Sequence, residues 1–168
     1  MTHSMHALSV DVFAHSLANL AVLLRKGQTH AVAKKFEAEV LERARLAPDM
    51  FALVRQVQLT CDFAKNSTAR LAGQEAPRFP DEEKTVDELL ARVEKTLAYL
   101  RSVAASAFEG AATRDIHLPL HERALDMKGL PFLQRWALPN FFFHLVTTYD
   151  ILRHNGVEVG KWDFLGSL

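Results

Sequence analysis

The chain has 168 residues, enough for one domain (1–168) with a substantial core, and its 20 Lys plus Arg balance 20 Asp plus Glu, so no net field draws it to nucleic acid or to an anionic membrane surface. A single cysteine, Cys61, rules out an internal disulfide and a cysteine-rich zinc site and fits a reducing cytoplasm. No run of about 18 consecutive apolar residues marks a membrane span, and the opening MTHSMHALSVDVFAHSLANL, interrupted by Asp11 and His15, lacks the basic start and unbroken apolar core of a signal peptide.

In chain order, Val10, Phe13, Leu17, Leu20 and Leu24 recur at steps of three and four, which predicts a helix over residues 5 to 26 stopped by Gly27. Residues 30 to 44 carry Val32, Phe36, Val40 and Leu41 and suit one or two helical turns in a connection. A second long helix is expected from Pro48 to Ala72, with Gly73 behind it and Met50, Leu53, Val54, Val57, Cys61, Ala64 and Leu71 inward. GQEAPRFPDEEK then reads as an exposed connection within the domain. TVDE at 85 to 88 is a capping box, and it opens a helix to about 104 with Val86, Leu89, Leu90, Val93, Leu97 and Leu100 inward. Residues 113 to 128 alternate in a way that suggests a small hairpin, with Pro119 confining its first strand to an edge. The last long helix should start near Pro131, kink at Pro139 and end at Asn155–Gly156. The aromatic tail, through Trp162, Phe164 and Leu165, should fold back. Four long helices with one short and two long connections predict an all-α fold, a four-helix bundle with a crossover connection and a small hairpin before the last helix.

The chemistry concentrates on two helices. Asn140, His144 and Thr148 stand at i, i+4 and i+8 and so lie within about 80° of one another on a helix. His144, among phenylalanines, is either a core histidine bonded to a neighbouring helix or a metal ligand facing the interior. Gln58 and Asp62, with Arg55 one turn earlier, are either a solvated flank with an ion pair or the other wall of a polar ligand pocket near the Pro139 kink. His117 and His121 flank a turn and read as surface positions, and Cys61 reads as a small buried side chain. Leu59 and Phe63 on the back of the second helix and the all-round apolar stretch 141 to 146 of the last predict a homodimer whose interface uses one or both of these helices.

The runs ARLAPDMFALVRQVQLTCDFAK, LPNFFFHLVTTYDILRHNGVEVGKWDFLG and SVDVFAHSLANLAVLL resemble an uncharacterised bacterial family of domains of unknown function, similar to the DinB/YfiT-like superfamily. The resemblance implies a DinB-type four-helix bundle, usually dimeric. It also implies a divalent-metal site of three histidines in many members, with thiol-dependent transferases or isomerases among them. On this sequence the fourth-helix pair falls on Asn140 and His144, so the triad is incomplete, and the second-helix ligand falls near Gln58 or Gln56. Amides are weaker donors than imidazole to a transition metal. Two functions are therefore open: a small-molecule-binding or structural homodimer with a degenerate metal site, or a metal- or thiol-cofactor-dependent transferase, isomerase or hydrolase using His144.

Overall fold

The computed structural model describes residues 4–119 and 124–167; His121 lies outside them. The chain is mostly helical, with one small two-stranded hairpin. A π-helical turn, Ala7–Asp11, leads into α1, Val12–Lys34. One turn, α2 (Glu39–Glu42), separates it from α3, Leu53–Ala72. Then come α4, Val86–Ser102; a 3-10 turn, Ala105–Phe108; and the strands β1, Asp115–Pro119, and β2, Ala124–Lys128. α5, Gly129–Phe132, passes through a π turn, Leu133–Ala137, into α6, Leu138–His154, and α7, Lys161–Leu165, follows.

Two boundaries differ from the sequence reading. Gly27 does not stop α1, which continues to Lys34 and closes on Lys35 in the left-handed region, φ 59°. The glycine is instead a site of close approach, since a Cβ there would lie 3.1 Å from Leu152 Cδ2. α3 begins at Leu53, five residues after Pro48, because residues 44 to 52 close a turn in which the Leu53 amide donates to the Ala44 carbonyl at 2.9 Å. Its far end is as expected, with Gly73 at φ 69°. The capping box is present: the Thr85 hydroxyl accepts from the Glu88 amide at 3.3 Å, and Glu88 Oε2 accepts from the Thr85 amide at 2.9 Å. In the hairpin Ile116 pairs with Met127 and Leu118 with Leu125, and Ile116 and Leu118 are buried.

Side-chain contacts fix the helix directions. Phe13 meets Phe141 with ring centroids 4.9 Å apart, and Gly27 meets Leu152, so α1 and α6 run parallel. Gln56 and Phe63 meet His144, whereas Leu71, near the end of α3, faces Gly129 ahead of α6, so α3 and α6 run antiparallel. Asp62 pairs with Arg92, and Lys65 and Lys95 share the Phe79 ring, so α4 runs parallel to α3. The connection 73 to 85 must therefore return along the helices to the start of α3, which makes it a crossover.

The stretch Ala7–Lys34 is long enough to cross a membrane and holds an 18-residue window apolar enough to do so, with a mean hydropathy of 1.7. Its seam of Phe13, Leu17, Leu20, Leu23 and Leu24 is fully buried in the core instead. At the other end Phe164 packs on Tyr149, with centroids 5.9 Å apart, but Trp162 projects outward with 70% of its surface exposed. The expectation that all three tail hydrophobics fold back fails at Trp162.

Candidate functional site

The polar stripe of α6 is satisfied mainly from within its own helix. Asn140 Nδ2 donates to the Trp136 carbonyl at 2.7 Å, inside the π turn that precedes Pro139. Thr148, fully buried, donates its hydroxyl to the His144 carbonyl at 2.9 Å. Only His144 reaches another helix. Its Nδ1 lies 2.8 Å from Gln56 Oε1, and Gln56 Nε2 donates to the Phe51 carbonyl at 3.2 Å. The Gln56 amide is thereby oriented with its oxygen toward the ring, so Nδ1 carries the proton and Nε2 the lone pair. Phe63 stacks on the imidazole at 5.5 Å with the planes 17° apart, and Phe143 meets it edge-on at 5.2 Å. Burial, assisted by the nearby Arg55 charge, pushes the His144 pKa down to about 4, and the ring is neutral at pH 7.

Gln58 and Asp62 point elsewhere. The buried guanidinium of Arg92 bonds to Asp62 Oδ1 at 3.0 Å, Asp81 Oδ1 at 2.9 Å, both Glu83 oxygens at 3.0 Å and the Pro80 carbonyl at 2.9 Å. Lys65 pairs with Asp62 at 2.9 Å, Gln58 donates to Glu83 at 3.0 Å, and Arg55 bonds to Asp81 and donates to Gln58 at 3.2 Å. Three cations and three carboxylates thus fasten the returning connection to α3 and α4. The sequence reading puts Arg55, Gln58, Asp62, Asn140, His144 and Thr148 in one pocket; the structure places Arg55, Gln58 and Asp62 in a latch around Arg92 and His144 in a relay through Gln56, while Asn140 and Thr148 bond within their own helix.

Arg92 escaped the sequence reading because its neighbours at 89, 93 and 97 defined the inward stripe. Its signal was there: an arginine beside that stripe, and an acidic DEE run in the preceding loop with no partner assigned. Gln56 enters the sequence reading only as a substitute for the missing metal ligand.

The donor set does not fit the three-histidine metal group that the resemblance implied. Among the described residues no three His, Cys, Asp or Glu side chains come together to hold a metal. The one imidazole has Nδ1 committed to an amide, and α3 offers only glutamines there. Cys61 is fully buried, and burial pushes its thiol up to about 12, so it is not a ready thiolate. Clefts open elsewhere, among them one of about 630 Å³ between α2 and residues 83 to 85 and one of about 600 Å³ between α1, α6 and α7.

Residues 5–165 match a family described as Domain of unknown function (DUF1993). The structure is similar to the crystal structure of a DinB family member protein from Shewanella denitrificans. The two share 42% sequence identity with a TM-score of 0.91, over 98% of this chain and 93% of that one. No curated protein matches the chain.

Proposed function

The chain belongs to the DUF1993 family, within a DinB-like fold, and we propose that it is a four-helix bundle of DinB type acting as a small-molecule-binding or structural homodimer in the cytoplasm, with a degenerate metal site. The observation that carries this reading is the relay from His144 through Gln56 to the Phe51 carbonyl. An imidazole whose Nδ1–H is held by an amide, stacked on Phe63 and short of two partner ligands, is built as an interhelical hydrogen bond. Dimerisation is supported by Phe143 and Val146 of α6, exposed at 59% and 41%, beside the half-buried Leu59 and Phe63 of α3.

One observation favours the catalytic alternative, a metal- or thiol-cofactor-dependent transferase, isomerase or hydrolase. The relay leaves His144 Nε2 as a free lone pair, available as a base or a ligand. Elemental analysis of protein purified without a histidine tag separates the two readings. Substoichiometric metal that stays so after incubation with zinc or nickel is the expected result. One firmly held ion per chain, lost in His144→Leu, overturns it.

A further inference from the structure

We propose that the cleft between α1, α6 and α7 binds small hydrophobic amines. The proposal rests on the ligand-binding half of the reading above but places the ligand away from the His144 relay. The cleft has a volume of about 600 Å³, within the range usual for small-molecule sites. Val12, Phe142, Phe164 and Leu165 form its apolar walls.

The walls are held in place by α1. Asn19 Nδ2 donates to the carbonyls of Leu165 at 2.9 Å and Phe164 at 3.2 Å, and His15 Nε2 lies 2.7 Å from the Leu165 carbonyl. Because a carbonyl can only accept, and the Asn19 amide 3.2 Å from the same nitrogen already donates to the two carbonyls, that nitrogen carries the His15 proton and Nδ1 keeps the lone pair. Gly166, at φ 72°, lets the chain close over Asn19, where any Cβ would lie 2.3 Å from Asn19 Oδ1.

Among the described residues, Asp11 and His15 are the ionisable side chains this frame presents, and the hydroxyls of Ser16 and Ser167, which can accept as well as donate, complete its polar side chains. Asp11, with its side chain 65% exposed, contributes a carboxylate whose nearest described partner is His6 Nδ1 at 3.5 Å. Ser16 is only 8% exposed and lines the cleft. Among the described residues its hydroxyl has no partner, whereas those of Ser9, Thr60, Thr96, Thr147 and Thr148 return to the carbonyl four residues earlier. Among the described residues no lysine or arginine lines the cleft. Acceptors, one negative charge and two aromatic faces suit an ammonium group on an apolar body: its N–H groups meet Asp11 and Ser16, and its body lies on Phe142 and Phe164. A carboxylate of the same shape finds no cation and meets a repulsive charge.

Calorimetric titration of the full-length, untagged protein at pH 8 with 2-phenylethylamine and 3-phenylpropionate tests this. Saturable one-to-one amine binding is expected, at least about tenfold tighter than that of the acid, with about a tenfold loss in Asp11→Asn. Asp11 is on the surface, so an unchanged Tm for that variant shows that the fold is intact. Absence of saturable amine binding, equal affinity for the two probes, or full affinity in Asp11→Asn overturns the proposal. Amine binding that survives Asp11→Asn but is lost in His144→Leu overturns it while leaving the small-molecule reading standing.

Discussion

At the scale of single residues, the relay and the latch make opposite demands on a substitution. His144→Leu removes the donor to Gln56 Oε1 and strands a buried acceptor, so a loss of about 1–3 kcal/mol is expected in denaturant melts. The double variant with Gln56→Leu should lose less than the sum of the two single changes, because neither partner is then left unpaired. The pH dependence has a definite sign. The folded-state pKa of His144 is lowered to about 4 from an ordinary value near 6.5, so the unfolded chain binds the proton more readily between those values. Stability carried by the neutral ring is present above about pH 6.5 and declines as pH falls toward about 4. A melting series over that window should flatten in His144→Leu; an unchanged slope would mean that this ring is not the titrating group. Arg92→Met is expected to cost about 3–5 kcal/mol, because it leaves Asp62, Asp81 and Glu83 without the guanidinium that pairs them. The sequence exposed the chemical types of these groups but not their pairing. α3 has two polar flanks, with Gln56, Thr60 and Ser67 on one side and Gln58, Asp62 and Lys65 on the other. Helical spacing shows both flanks and is silent on which neighbouring helix each one meets.

At the scale of elements, what was legible follows local chemistry, and what was missed depends on packing. The Thr85–Glu88 box, the Gly73 cap and the alternation of Ile116 and Leu118 act over four residues or fewer, and all three are in the structure. Gly27 was misread because a helical glycine and a terminating one look alike until Leu152 is brought against it. Gly129 could not be read at all, since its need arises from a residue 18 positions away: a Cβ there would sit 1.8 Å from the Ala111 carbonyl oxygen. Gly129→Ala should therefore destabilise by about 3 kcal/mol or shift the hairpin–α5 junction, which chemical denaturation together with amide exchange of residues 111 to 114 would detect. The crossover connection makes a similar distinction within itself. Gly73, Gln74 and Glu75 are exposed, whereas Phe79 lies beneath Lys65 and Lys95, and Asp81 and Glu83 are bound by Arg92. Limited proteolysis should nick near Arg78 or Glu75 and spare residues 81 to 85, with the two fragments remaining associated. Cleavage that extends to Lys84 only in Arg92→Met would identify the guanidinium as the latch.

At the scale of the whole molecule, the remaining question is which apolar surface the fold leaves uncovered. The core absorbs the entire inner seam of α1, including residues whose hydropathy alone would suit a membrane. On α6 the stretch 141 to 146 divides: Phe141 and Leu145 go inward, while Phe143 and Val146, one turn apart, stay outside. Phe51, 57% exposed, follows α2 and precedes α3, and its carbonyl closes the His144 relay. Leu59 and Phe63 are less exposed than an unpartnered back face would require, because Phe63 stacks on His144. Of the two helices expected from sequence to serve the proposed dimer, α6 offers the more exposed apolar surface, at Phe143 and Val146. A two-fold contact places the same residues against each other in both copies, and aromatic anchors at its centre carry much of the affinity. Light scattering at micromolar concentration should therefore return twice the chain mass, and Phe143→Asp should return the monomer with little change in helical content, since that side chain is exposed in the isolated chain. The ring of Phe143 also meets His144 edge-on at 5.2 Å, so its loss from the interface should open the imidazole to solvent. A His144 pKa that rises from about 4 in Phe143→Asp, followed by NMR titration, would show that this ring shields the imidazole, since burial within the single chain already holds the value down; dimers that persist in Phe143→Asp would place the interface on another face.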